Sequence, residues 1–224
     1  MLAFSVIIPL HNEEGTIAPL FRRLSAVMAA LGRPYEIIFV DDASTDAGAK
    51  VLAGIAATVI RLPSRSGQAA ALQAGFDAAT GEIIITLDAD LQNFPEDIPL
   101  LLAELEKGFD LVCGWRWRRR DPAGKVVSAG IAGAVRRAVT GETIHDFGCG
   151  LRAFRRAVLK DVRLDRGLHR YFSLLCRKAG YKVSEVKISH APRVRGRSKY
   201  GLANRLAPAV RDFGFVYCRT NKKH

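Results

Sequence analysis

Asp88 and Asp90 stand two residues apart in Leu87-Asp-Ala-Asp-Leu-Gln92, directly after the apolar run at residues 82–87. Two carboxylates at i and i+2, with no cation beside them in sequence, offer hard oxygen ligands on one turn. Mg2+ or Mn2+ takes such oxygens, with a substrate's phosphates completing the coordination shell. In isolation the same residues would suit a solvated acidic turn, and a lone D-x-D carries little weight. Two further polar clusters shift that balance. Pro9-Leu-His-Asn-Glu-Glu14 follows the apolar residues 4–8, and Asp41-Asp-Ala-Ser-Thr-Asp46 follows residues 35–40. Each of the three closes a run of strand length. In an open α/β sheet, strand ends of this kind share the crevice where ligands bind.

The second half has the opposite character. Residues 1–112 carry 7 Lys/Arg against 15 Asp/Glu, residues 113–224 carry 27 against 7, and the net charge is +12. The first half suits holding a ligand through carboxylates, and the second suits an anionic partner. Nucleic acid, anionic lipid and a phosphorylated acceptor are the candidates. The densest basic run, Trp115-Arg-Trp-Arg-Arg-Arg120, interleaves aromatics with arginines, a composition shared by bilayer interfaces and nucleic-acid sites. A solvated loop is the plain alternative for Arg118, Arg119 and Arg120.

Other chemistries fit poorly. A dinucleotide site needs G-x-G-x-x-G at the first turn, where only Gly15 stands among Asn12, Glu13 and Glu14, and no Walker A loop occurs. Cys113, Cys149, Cys176 and Cys218 are scattered, with no CxxC pair, and read as buried free thiols. The first residues lack the basic start of a signal peptide. No apolar run approaches the roughly 18 residues of a membrane span. A peripheral protein at the cytoplasmic face of a membrane is therefore expected.

The elements that must position these residues follow from periodicity. Residues 4–8 and 35–40 read as buried strands and 58–62 and 82–87 as two more, with residues 109–113 a further candidate and 181–188 an edge strand. Ile17, Leu20, Phe21, Leu24, Val27, Met28 and Leu31 share one face of a helix closed by Gly32 and Pro34. Residues 68–79, 122–140, 167–180 and 202–217 also read as helices. Strands alternating with helices predict one α/β domain, a mixed, mostly parallel sheet flanked by helices. Residues 1–201 are expected to form it, divided into an acidic part (1–112) and a basic part (113–201). Residues 202–224 would make a membrane-proximal helix and tail.

Val6-Ile-Ile-Pro-Leu-His-Asn-Glu13, Val40-Asp-Asp-Ala-Ser-Thr-Asp46, Gly67-Gln-Ala-Ala-Ala-Leu-Gln-Ala-Gly75 and Leu87-Asp-Ala-Asp-Leu-Gln92 together resemble the family 2 inverting glycosyltransferases. Asp146-Phe-Gly-Cys-Gly-Leu-Arg152 and Arg193-Val-Arg-Gly-Arg-Ser-Lys-Tyr200 narrow the resemblance to the dolichol-phosphate mannose synthase and bacterial polyprenyl-phosphate branch. It implies a GT-A-like fold, a GDP- or UDP-linked donor with a mannose- or glucose-type hexose, and a polyprenyl-phosphate acceptor. It further implies that Pro9, His11, Glu13, Asp41, Asp42, Gln68 and Asp88 hold the nucleotide sugar. Asp88, Asp90 and Gln92 would hold the metal and diphosphate. Arg116, Arg193 and Lys199 would grip the acceptor phosphate, with Arg152 and Ser198 beside them. Relatives often carry an arginine where Ala129 stands; whether Arg136 or Arg137 replaces it is open. Many relatives carry transmembrane helices after the catalytic domain, so a separate integral membrane partner is a further expectation.

Inversion by in-line displacement needs a general base only when the acceptor is a hydroxyl; a phosphate monoester is already anionic. The arginines favour phosphate. Asp146 keeps open a hydroxyl acceptor, with that carboxylate as base. A non-catalytic nucleic-acid-binding protein is the remote alternative, and it would leave the paired carboxylates without a role.

Overall fold

Each apolar run ahead of a polar cluster folds as a strand, and the amphipathic stretches between them fold as helices. In the computed structural model, which describes residues 2–117, 144–165 and 168–191, the elements are β1 (Phe4–Leu10), α1 (Glu14–Ala30), β2 (Tyr35–Asp41), α2 (Gly48–Ala53), β3 (Thr58–Arg61), α3 (Gln68–Ala78), β4 (Ile83–Thr86), α4 (Ile98–Glu106), β5 (Leu111–Arg116), β6 (Arg152–Arg155), α5 (Phe172–Lys178) and β7 (Val183–Ile188). The strands form one seven-stranded sheet in the order β3-β2-β1-β4-β6-β5-β7. β6 runs antiparallel to β4 and β5, while the other pairings are parallel.

The middles of β1 and β2 are apolar on consecutive residues because both faces of the sheet are covered there. Val6, Ile8 and Leu10 of β1 pack with Ile17, Leu20, Leu24 and Met28 of α1 and with Leu101 and Leu105 of α4. Ile7 turns the other way, joining Leu72 and Phe76 of α3 and Phe172 of α5. The helix face expected from the spacing is thus the buried one.

After β3 the chain returns to add β4 on the far side of β1. The order therefore reverses between β1 and β4, opening a crevice at the carboxyl ends of those strands. The loops after β1, β2 and β4 carry the three polar clusters. Each also holds one non-glycine residue in the left-handed region: Asn12 (φ 56), Ala43 (φ 52) and Leu91 (φ 60). Asparagine tolerates that conformation, whereas Ala43 and Leu91 hold it at a cost of about 1–3 kcal/mol each.

Four differences from the sequence reading have physical causes. β1 continues through Pro9, which was expected to end it. Ile7 faces β4, its carbonyl accepting the N–H of Leu87 at 3.1 Å. Pro9 faces the same side two residues on, where pairing with β4 has ended at Thr86, so its missing N–H removes no ladder bond. β5 runs on to Arg116, and Trp115 and Arg116 stand on its two faces. β6, α2 and α4 had no sequence counterpart. The helix expected at 167–180 is in part a 3-10 turn, Leu168–Tyr171, ahead of α5. The helices expected at 122–140 and 202–217 lie outside the described residues.

Candidate active site

The loops after β1 and β2 lock together. The N–H of Asn12 donates to the Ser44 hydroxyl at 2.9 Å, and the N–H of Thr45 donates to Asn12 Oδ1 at 2.8 Å. His11 Nδ1 lies 2.8 Å from the Asp42 carbonyl, so it carries the proton in that contact. Asp41 and Asp42 are buried. Asp41 Oδ1 accepts the Ser44 N–H at 2.8 Å, and its Oδ2 lies 3.6 Å from Arg61 Nε. Asp42 accepts the N–H groups of Ser66 (2.6 Å) and Gly67 (2.9 Å), one on each oxygen.

These bonds fix the entry to α3. Gly67, at φ 89, makes a turn that a side chain would strain. Gln68 then reaches across the crevice, its amide donating to Asp88 Oδ1 at 2.8 Å. Asp42, Gly67, Gln68 and Asp88 form one chain of support from β2 to the turn after β4.

That turn is tied at its other end. Asp90 Oδ1 accepts the Gln92 N–H at 3.2 Å. The Gln92 side-chain amide donates to the Ala191 carbonyl at 3.4 Å, and the Ala191 N–H returns to the Gln92 carbonyl at 3.0 Å. Gln92, expected near the metal, is thus turned toward Ala191 in the segment after β7, two residues before Arg193 in sequence. Gly150 closes over Asp88: a Cβ there would lie 2.2 Å from Oδ2. Its carbonyl accepts the Thr86 hydroxyl at 2.7 Å. Only glycine leaves room for the Asp88 carboxylate beside this loop.

Two half-buried carboxylates on a fixed turn are the donor set that Mg2+ or Mn2+ prefers. Among the described residues no three His, Cys, Asp or Glu side chains form a metal cluster. The residues present fit an ion that takes its remaining oxygens from a bound diphosphate.

Arg116 and Asp146 meet at the other end of the same glycine loop, beside Gly148. Nε lies 2.6 Å from Oδ2 and Nη2 lies 2.8 Å from Oδ1. Their side chains are 11% and 7% exposed. Burial works against the Arg116 charge, but the Asp146 carboxylate outweighs it and raises the guanidinium pKa, with Asp88 contributing at longer range. Gly148 borders the pair: a Cβ there would lie 3.2 Å from Arg116 Nη2. Asp88 and Arg116 therefore flank one segment, residues 148–150, whose end Cα atoms are at most about 7 Å apart. Cys149 between them is buried, and burial together with Asp146 pushes its thiol up to about 12. It stays protonated and is no nucleophile.

The structure brings Pro9, His11, Glu13, Asp41, Asp42, Gln68, Asp88, Asp90, Arg116 and Asp146 to this one edge of the sheet. Arg152 is turned elsewhere. It pairs with Thr86 and Cys113, on the sheet face opposite Arg116. Its Nη2 donates to the Phe147 carbonyl at 3.3 Å, and its guanidinium lies 5.9 Å from the Phe172 ring centre. Arg193, Ser198, Lys199, Arg136 and Arg137 lie outside the described residues. Sequence reasoning passed over Gly150, Ser66 and Ala191, which act through backbone or through lacking a side chain.

Residues 5–163 match the family model described as Glycosyl transferase family 2. The undecaprenyl-phosphate 4-deoxy-4-formamido-L-arabinose transferase of Pseudomonas paraeruginosa is 38% identical over 222 residues, 96% of this chain and 65% of that protein. The dodecaprenyl-phosphate galacturonate synthase of Rhizobium johnstonii is 37% identical over 214 residues, 90% of this chain and 63% of that protein. The chain thus spans just under two thirds of the length of these curated relatives. A solved glucosyl-3-phosphoglycerate synthase from Mycobacterium tuberculosis, in complex with Mn2+, uridine diphosphate and phosphoglyceric acid, has the same fold, with a TM-score of 0.77 at 22% identity, covering 100% of this chain and 80% of that one.

Proposed function

The chain belongs to glycosyl transferase family 2, and on that premise we propose that it transfers the sugar of a nucleotide-sugar donor to a polyprenyl phosphate, with inversion. The observation that carries this reading is the placing of Asp88 and Arg116 at the two ends of residues 148–150, Asp88 against Gly150 and Arg116 against Gly148. One flank offers carboxylates to a metal-bound diphosphate, and the other offers a guanidinium to a second phosphate.

In this reading Asp41, Asp42 and His11 build the rigid floor on which base and ribose lie, and Pro9 and Glu13 border it. Gln68 orients Asp88. Asp88 and Asp90 would hold Mg2+ or Mn2+, which when bound neutralises charge on the departing diphosphate. Arg116 holds the acceptor phosphate through the edge of its fork turned away from Asp146. A phosphate oxygen forms the new bond to the anomeric carbon. The bond from that carbon to the diphosphate breaks, and its electron pair leaves with the nucleoside diphosphate. No proton has to be removed. Arg193, Ser198 and Lys199 are proposed to join the phosphate grip.

The geometry weighs against the hydroxyl-acceptor reading. Both Asp146 oxygens accept from the Arg116 fork, so the carboxylate would have to give up a charge-assisted bond before taking a proton. The two relatives above are named for a formamido-pentose and a uronic acid. The donor panel therefore has to reach beyond the mannose- and glucose-type sugars implied by the sequence resemblance. Among the described residues no helix is long and apolar enough to cross a membrane. We propose peripheral contact with an anionic membrane surface, where the lipid acceptor resides.

The test is transfer from a panel of GDP- and UDP-linked sugars to a short-chain polyprenyl phosphate in detergent, with Mn2+, Mg2+ or EDTA. A lipid-phosphate-sugar product with inverted anomeric configuration is expected. Equal transfer to the corresponding polyprenol would favour the hydroxyl reading.

A further inference from the structure

The chain has two tryptophans, Trp115 and Trp117, and the fold brings them together where the crevice mechanism uses neither. β7 is an edge strand, and in its register with β5 Trp115 stands opposite Lys187. The pleat turns Arg116 toward Asp146 and Trp115 to the other face. The indoles meet edge to face, with centres 4.8 Å apart at 89°. The His145 ring stacks on Trp115 at 4.2 Å and 10°. Lys187 Nζ lies 3.9 Å from the centre of the Trp117 ring and 5.4 Å from that of Trp115. Glu185 holds His145 in place, bonding its ring and its N–H. Trp117 nevertheless leaves 53% of its surface exposed.

We propose that this cluster is the surface by which the protein rests in the headgroup layer of an anionic membrane, Trp117 entering the layer and Lys187 meeting its phosphates. The proposal rests on the polyprenyl-phosphate reading above and specifies how that acceptor is met. Indoles and long cationic side chains are the residues that the membrane–water interface selects, each with an apolar body and a polar end. Charge complementarity points to the same partner. Arg118, Arg119 and Arg120 follow Trp117 directly in sequence, within a half that carries 27 Lys/Arg against 7 Asp/Glu. Trp117 is also the residue next to Arg116, about 3.8 Å away from Cα to Cα. Anchoring there holds the acceptor-phosphate cation at headgroup depth, so the lipid phosphate need not be drawn out of the membrane.

Because no other tryptophan exists in the chain, its intrinsic emission reports on this cluster alone. The experiment adds vesicles of phosphatidylcholine with phosphatidylglycerol, or of phosphatidylcholine alone, to the full chain. Lipids brominated in the acyl chain serve as quenchers. A blue shift and quenching are expected on the anionic vesicles and reduced in high salt. Trp117→Ala should weaken vesicle binding about ten-fold and Lys187→Gln about five-fold. Both variants should keep the parent's turnover on short-chain polyprenyl phosphate in detergent. Binding to anionic vesicles with unchanged tryptophan emission overturns the proposal, as does binding only when a membrane protein is present in the vesicles. Loss of detergent turnover matching the loss of vesicle binding also overturns it, assigning the cluster to the acceptor site. Failure of the parent to glycosylate polyprenyl phosphate, with the tryptophan signal intact, would instead sink the functional reading and leave the membrane face standing.

Discussion

Arg116 and Asp146, 30 residues apart in sequence, meet as a two-pronged pair at 2.6 and 2.8 Å. The Arg116 N–H also points at Oδ2, at 3.3 Å, and the Gly148 N–H reaches Oδ1 at 3.2 Å. Every one of these bonds has the carboxylate as acceptor. Asp146 is therefore built into the structure as the group that orients the Arg116 fork and balances its buried charge.

Asp146→Asn tests that role. It keeps the shape of the side chain but turns an amide N–H2 toward a guanidinium that also only donates. Leaving one member of a buried pair uncompensated costs about 3–5 kcal/mol, which corresponds to a fall in Tm of about 10 °C. Acceptor KM should rise, while kcat falls by less than about ten-fold. Loss of a general base would cost about 100-fold or more. A loss of that size in kcat, with unchanged Tm and a displaced pH–rate limb, would return Asp146 to the base's role.

Gly150→Ala should injure the donor side without removing any charged group. Its Cβ would lie 2.2 Å from Oδ2, 2.3 Å from Cγ and 2.5 Å from Oδ1 of Asp88, so the whole carboxylate must move. An overpacked contact of this kind costs about 1–3 kcal/mol. Calorimetry with a nucleoside diphosphate and Mn2+ should register about a ten-fold loss of affinity. Unchanged affinity would mean that Asp88 is not a donor-site ligand.

β1, β2 and β4 were legible because buried parallel strands are apolar on both faces and end abruptly in polar residues; β3, read from its short apolar run, is an exposed edge strand. Ile17, Leu20, Leu24 and Met28 were legible as one face of α1 for the same reason of period. β6 was not: Arg152-Ala-Phe-Arg155 is four residues long, carries a charge at each end and gains its strand character from neighbours on both sides. The extension of β5 to Arg116 was hidden by the basic run that follows it. The chemistry of Asp88 and Asp90 could be read from spacing. The Arg116–Asp146 pair could not, since a fork and a carboxylate 30 residues apart show no local pattern.

Glu36 supplies a pH dependence independent of the chemistry. Burial pulls its pKa upward, but bonds from the Ser5 and Thr80 hydroxyls and the Thr80 and Gly81 N–H groups outweigh it and hold it below the usual 4.5. A carboxylate lowered on folding adds stability above its unfolded pKa and loses it as pH falls through the folded one. Stability should therefore drop below about pH 4.5, and Glu36→Gln should flatten that part of the acid limb. Thermal melts of both chains across the acid range decide it; parallel curves would remove Glu36 from the account.

Asp90→Asn should leave the fold intact and abolish most turnover. The side chain is half-buried, and Asn can still accept the Gln92 N–H at Oδ1. What disappears is one negative charge facing the proposed ion, an effect of about 100-fold or more on kcat if the ion neutralises the leaving group. Excess EDTA should stop the parent enzyme and added Mn2+ or Mg2+ restore it. Full activity in EDTA would overturn the metal reading.

Arg116 separates acceptor from donor. Arg116→Ala removes a cation held against Asp146 and leaves that carboxylate buried without its partner, so a lowered Tm is expected as well as lost activity. The kinetic signature therefore has to be read at a temperature where the variant is folded. There, loss of a charge-assisted phosphate contact, about 1.5–3 kcal/mol, should reduce kcat/KM for polyprenyl phosphate by about ten- to a hundred-fold. Nucleotide affinity should change little, since Asp88 senses Arg116 only at longer range. Arg116→Lys keeps the charge but cannot bond both Asp146 oxygens and a phosphate at once. It should restore most of the stability and only part of the acceptor efficiency. Calorimetry with nucleoside diphosphate beside kinetics in detergent makes the comparison. If Arg116→Ala weakens nucleotide binding as strongly as acceptor use, Arg116 serves the donor, and the division of the crevice at residues 148–150 is wrong.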